Sequence, residues 1–135
     1  MKYDEVEKII EKAFNKFPIH WAFGNSQFKE MLKEMNATIE EIVSIGAGGY
    51  ILEKDVKKYI NLLKWAKNLR KKARESEEYI YEMFKEELNN HEYCYTRDVT
   101  DTLDALGLTL EEINSDPKLL KGFELALAEY NYKDC

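Results

Sequence analysis

A helix-rich α+β domain with a small antiparallel sheet is the fold class this sequence predicts. Apolar residues repeat at helical spacing through most of the chain, three short stretches alternate or cluster aromatic and β-branched residues, and three glycines fall within Gly46–Gly49. The expectation is five to seven helices, with strands drawn from residues 19–23, 42–52 and 92–96, in a single globular domain spanning 1–135.

Val6, Ile9, Ile10, Ala13, Phe14 and Phe17 form one apolar stripe on a first helix from about Tyr3 to Phe17, and Pro18 ends it. Ile19 to Phe23 is short, aromatic and followed by Gly24-Asn25, which suits a strand and turn. Ser26 is placed to cap a helix carrying Phe28, Met31, Leu32 and Met35. Thr38 and Glu41 make a capping box before Ile42. Val43-Ser44-Ile45 and Tyr50-Ile51-Leu52 flank the glycines, so the segment reads as a hairpin whose turn needs positive φ. The longest helix follows, near Lys54 to Arg74, with Val56, Tyr59, Ile60, Leu63, Ala66, Leu69 and Ala73 expected inward.

Ser76 is placed to cap a helix over Glu77 to Asn90, striped by Ile80, Met83, Phe84 and Leu88. Tyr93, Cys94 and Tyr95 alternate as a strand would. Thr100 opens a short helix that Gly107 closes, Thr109 and Glu112 make a second capping box, and Asp116-Pro117 starts a final helix carrying Leu119, Leu120, Phe123, Ala126, Leu127 and Tyr130.

Apolar residues at 44% and charged residues at 34% sit near globular averages, which excludes a disordered chain, and 135 residues can bury a core without a metal or disulfide. No apolar run approaches the roughly 20 residues that cross a bilayer, and the acidic amphipathic start does not read as a signal peptide, so a cytoplasmic protein is expected. Cys94 and Cys135 build neither a disulfide framework nor a paired zinc motif, and are expected as free thiols. Glu53 to Glu75 holds nine Lys or Arg against three acids, inside a chain of net charge −6. Direct nucleic-acid binding by that basic helix is disfavoured, because the acidic remainder repels DNA within about a Debye length, roughly 8 Å.

Gly46, Gly48 and Gly49 invite comparison with a phosphate-cradling loop, but Tyr50-Ile51 stands where a P-loop places its lysine and hydroxyl, and Glu53 and Asp55 oppose an anion. His91, Glu92, Cys94, Asp98 and Asp101 offer zinc-type ligands at a spacing that fits no standard signature. Cys94 with His91 or His20 is the only thiol–imidazole pairing, and its acidic surroundings oppose a reactive thiolate. No catalytic residue, metal site or cofactor is therefore assigned, and no enzyme is expected.

The stretches His20–Glu30, Val43–Val56 and Asn90–Leu108 together resemble an uncharacterised family of small proteins from phages and prophages of low-GC Gram-positive bacteria. The resemblance carries no established activity. What it implies is a genre: accessory proteins that bind a host protein, inhibitors of CRISPR nucleases and other defence systems among them. The expectation is a non-enzymatic protein that binds a host defence or nucleic-acid-processing protein through an acidic, aromatic-bearing surface. Its candidate residues are Trp21, Phe23, Asn25, Gln27, Tyr50, His91, Tyr93, Tyr95, Arg97, Asp98, Asp101 and Asp104, with the loop Gly46, Gly48 and Gly49. The alternative is a nucleotide-type ligand binder using Gly46–Gly49 and His91–Asp98. Self-association is open in either reading, and no membrane partner is expected.

Overall fold

The apolar stripe of the first segment folds as helix α1 (Tyr3–Lys16), which buries Val6 and Ile10 and leaves Glu5 and Glu11 exposed. The computed structural model describes every residue from Met1 to Cys135. Along the chain follow β1 (His20–Trp21), α2 (Asn25–Met35), β2 (Ile42–Gly46), β3 (Gly49–Leu52), α3 (Val56–Ala73) and α4 (Glu77–Asn90). The remainder is α5 (Tyr93–Thr96), α6 (Thr100–Leu106), α7 (Leu110–Ser115) and α8 (Pro117–Ala128), with short 3-10 turns at Ile39–Glu41, Glu53–Asp55 and Glu129–Tyr132. This is the expected helix-rich α+β class, with one sheet of three antiparallel strands and eight helices where five to seven were expected, the short turns at Tyr93–Thr96 and Leu110–Ser115 raising the count. The chain divides into two compact units, one of Lys8–Asn68 and one of Met1–Glu7 with Leu69–Cys135.

The first of these, the sheet unit, holds strands in the order β1-β3-β2. Gly46 pairs with Gly49 across a two-residue turn, and both central residues have positive φ, 51° at Ala47 and 82° at Gly48. That is the backbone a tight type I′ hairpin requires, so the predicted hairpin forms and its glycines serve the turn. Strand pleating separates two faces. His20 and Tyr50 are register partners on one, where the Tyr50 ring meets Phe28 of α2 edge-on at 5.3 Å, and Trp21 and Gly49 are partners on the other. Ala22, Met31 and Ile51 are the buried centre.

In the other unit, α4 buries Tyr79, Ile80, Met83, Phe84 and Leu88 and packs on α8, which contributes Leu119, Phe123 and Ala126. Phe84 and Phe123 meet at a tilt of 55° with centroids 5.0 Å apart. Gly122 sets the close approach of these helices, since a Cβ there would lie 2.5 Å from Ile80 Cγ2. The caps are those the sequence specifies: Ser76 accepts from the Tyr79 N–H, Thr109 from Glu112, and Asp116 from Lys118 and Leu119 ahead of Pro117. Gly107, at φ 65°, closes α6 with its N–H on the Asp104 carbonyl.

Four expectations are corrected. Residues 92–96 form no strand: Tyr93–Thr96 is one helical turn bracketed by positive φ at Glu92 and Arg97, and the third strand is supplied by the hairpin contributing two. Helix α2 starts at Asn25 behind Gly24, one residue before Ser26 can act as its cap. On α3, Ile60 and Leu63 are exposed where the stripe placed them inward, while Ala66 is buried. Cys94 and Cys135 are joined in a disulfide with Cα atoms 5.9 Å apart, where free thiols were expected. The turn Glu129–Tyr132 brings the chain back to α5, and Tyr130 meets Tyr93 edge-on at 5.1 Å.

Candidate functional site

Two aromatic side chains of the sheet unit stand in solvent on a rigid base. Trp21 is 54% exposed and Phe23 68%. The segment that carries them is pinned on both sides, because the Ala22 N–H donates to the Gly48 carbonyl at 2.9 Å and the Phe23 N–H to Gln27 Oε1 at 2.8 Å. The glycines beneath explain the close fit: a Cβ on Gly48 would lie 2.4 Å from Phe23 Cε1, and one on Gly49 would lie 3.1 Å from Trp21 Cζ3 and 2.9 Å from Ile45 Cγ1. Gly48 and Gly49 are thus the seats of two exposed rings.

Beside Trp21 opens a cleft of about 410 Å³, lined by Phe14, Asn15, Phe17, Ile19, Trp21, Ile45, Gly46, Ala47 and Tyr59. Tyr59 organises its aromatic wall, meeting Phe14 at 6.3 Å with ring planes 87° apart and Phe17 at 5.5 Å with planes 57° apart. The sequence reading placed Phe14, Phe17 and Tyr59 among core stripe residues, and the structure leaves all three half-buried. No Lys, Arg, Asp or Glu lines the cleft, so it lacks the cation that a phosphate would need. A neutral, flat-sided group fits that lining.

The predicted surface residues fall into two sets, one in each unit. Trp21, Phe23, Asn25, Gln27, Tyr50 and the glycines belong to the sheet unit, where Asn25 is exposed at the start of α2 and Tyr50 lies on the face opposite Trp21. His91, Tyr93, Tyr95, Arg97, Asp98, Asp101 and Asp104 belong to the other unit. There His91 caps α4, with Nε2 3.3 Å from Glu87 Oε2. The Arg97 guanidinium lies over both Tyr93 and Tyr130, at 5.6 and 5.9 Å, and donates to the Tyr130 carbonyl at 2.9 Å. Burial raises the Tyr130 hydroxyl above its usual range, with Glu129 adding to the effect and Arg97 opposing it.

Asp98 accepts from both the hydroxyl and the N–H of Thr100, and these hydrogen bonds hold its carboxyl below the usual carboxylate range. Tyr95, Asp101 and Asp104 are exposed. No group of three or more His, Cys, Asp and Glu side chains is placed to hold a metal ion.

Charge divides unevenly between the units. The sheet unit carries ten Lys against seven acids, and the other ten Lys or Arg against nineteen acids. No helix is long and apolar enough to cross a membrane.

Neither a curated protein nor a solved structure matches the chain. A family model does, over residues 2–129, which takes in both units up to the last turn of the chain. The chain belongs to the family of unknown function DUF7659.

Proposed function

We propose that this chain is a non-enzymatic binding protein that engages another protein through the Trp21 side of its sheet. The observation that carries the reading is the pair of exposed rings, Trp21 and Phe23, held on a backbone that is already hydrogen-bonded on both sides. Aromatic side chains carried on a backbone fixed before encounter bring large contact area at reduced ordering cost, which is the composition of binding hot spots. The partner class that accords with the phage-like resemblance is a host defence or nucleic-acid-processing protein. The exposed Asp101 and Asp104, with Asp98, are a second contact region suited to a basic partner.

The test is affinity capture from bacterial lysate with wild-type protein, a Trp21→Ala/Phe23→Ala variant and an Asp98→Lys/Asp101→Lys/Asp104→Lys variant, each first checked for its wild-type circular dichroism. A stoichiometric partner lost with the aromatic pair is the expected result. Retention of the partner by that variant overturns the aromatic reading, and loss only with the aspartate variant moves the interface to the acidic unit.

A further inference from the structure

We propose that the lysine face of α3 is an interaction surface for a second copy of this chain, and that it takes the acidic run Asp98–Asp116 of that copy in a head-to-tail contact. The inference goes beyond the docking role of Trp21 and Phe23 and does not rest on it. Charge, exposure and spacing lead to it.

Opposite charges are gathered in two separate runs of the chain. Helix α3 holds six Lys and one Arg and no acid, whereas residues 98–116 hold six acids and no Lys or Arg. Like charges a helical turn apart repel, so each run gains stability from a surface that neutralises it. Neither finds one within the chain. Arg70 of α3 pairs with Glu7, but the six lysines and the six acids form no ion pair.

The exposed surface of α3 has the anatomy of a contact. Lys57, Lys64, Lys67 and Lys71 fall at helical spacing on one face, with Ile60 among them. All four lysines are exposed, Ile60 is 44% exposed, and Leu63, three positions on, is 45% exposed. Apolar side chains rimmed by charge are how an interface centre is built. The acidic run offers the counterpart: Asp98, Asp101, Asp104, Glu111 and Glu112 are exposed, and Leu110 is 50% exposed beside the glutamates. Asp101 and Asp104 stand three positions apart on α6, as Lys64 and Lys67 do on α3. Each step rises about 4.5 Å, so the two helices laid side by side bring two ion pairs into register.

The signs of the charges fix the geometry. A symmetric contact through α3 would set lysines against lysines, so the contact is heterologous, and copies add into rings or open chains. The net charge of −6 repels a second copy only at a distance. At physiological ionic strength fields fade within about 8 Å, and the apposed surfaces decide.

The experiment is sedimentation velocity of the full chain over about a hundredfold range of concentration, at about 0.15 M and about 1 M salt, where the screening length falls from about 8 Å to about 3 Å. The mass is expected to rise above 16.0 kDa with concentration at the lower salt and to return to 16.0 kDa at the higher. This arm needs no variant.

Two variants of wild-type circular dichroism then locate the contact: Lys57→Glu/Lys64→Glu/Lys67→Glu and Asp101→Lys/Asp104→Lys/Glu111→Lys. Each alone is expected to self-associate at least about tenfold more weakly, the size of two exposed ion pairs. Mixing them restores association, because the native lysines of one meet the native acids of the other and the introduced charges match in the same way.

A wild type that stays at 16.0 kDa throughout overturns the proposal. So does association that survives undiminished in either variant, or a mixture that fails to restore it. If the wild type stays monomeric while a ten-residue oligothymidylate shifts the backbone NMR signals of Lys57 to Lys71, the face takes nucleic acid and the second copy is the wrong occupant.

Discussion

At Gly48 a single missing Cβ decides how an exposed aromatic residue sits. The residue has φ +82°, and a methyl there would meet Phe23 Cε1 at 2.4 Å and the Ala22 carbonyl oxygen at 3.1 Å. The exposed Phe23 ring can swing aside, whereas the backbone oxygen yields less readily. Gly48→Ala is therefore expected to cost about 1–2 kcal/mol, the left-handed backbone penalty for an L residue, in urea unfolding. It should also displace the Phe23 ring signals in NMR while those of Phe84 stay in place.

The glycines were legible in the sequence as a hairpin turn, because turn chemistry is local. Their service as seats for Trp21 and Phe23 was not, since it depends on a strand some twenty-five residues earlier. Phe14, Phe17 and Tyr59 escaped for a related reason: a helical apolar stripe looks the same whether a neighbour covers it or leaves a cleft. The available hint was two phenylalanines in one helical turn just before Pro18.

Among the elements, α4 shows how far local signals reach. Its bounds were legible to the residue, because Ser76 caps it and its stripe is unbroken. The segment after it was misread as a strand, since Tyr93-Cys94-Tyr95 alternates for only three residues and two left-handed residues bracket it as a lone helical turn. The α4–α8 contact yields a prediction whose sign needs deciding. Gly122→Ala gains about 1 kcal/mol of helix propensity. It also drives a methyl to 2.5 Å from Ile80 Cγ2 and 3.3 Å from the Tyr81 nitrogen, in a fully buried contact.

Overpacking against backbone costs about 1–3 kcal/mol and wins, so the variant is expected to unfold at lower urea concentration. In a double-mutant cycle with Ile80→Ala, the combined loss should be smaller than the sum of the two. On the outer side of α4, desolvation and then the neighbouring Asp4, Glu87, Glu82 and Glu7 raise the Glu86 carboxyl. A carboxylate raised in the folded state binds its proton more tightly folded than unfolded. Its stabilising contribution is full below the ordinary carboxylate value of 4.5 and is lost as pH rises through the folded value. Glu86→Gln should thus raise the thermal midpoint at pH 7 and leave it unchanged near pH 4.

For the molecule as a whole, the consequential feature is the covalent link that local reading could not supply. Cys94 and Cys135 are 41 residues apart in sequence, and the span between them holds α6, α7 and α8, so the link closes a loop around half of the α4–α8 unit. Closing a loop of that length removes unfolded-chain entropy worth about 4 kcal/mol at 25 °C. Cys135→Ser, which leaves every core residue in place, is expected to lose about that much in urea unfolding, and dithiothreitol should lower the wild type to the same midpoint while leaving the variant unaffected.

Hydrogen exchange locates the effect: protection should fall across residues 94–135 and hold at the hairpin strands β2 and β3, which lie in the other unit. Intact mass in the presence of a thiol-alkylating reagent gives the decisive reading. An unalkylated chain from protein purified without oxidant means the pair is oxidised in the compartment where the chain folds. Disulfides persist in oxidising compartments, so that result would overturn the cytoplasmic expectation. Two alkyl groups on the wild type, with unfolding insensitive to reductant, would instead leave the α4–α8 unit standing on its apolar core alone, as its length and composition allow.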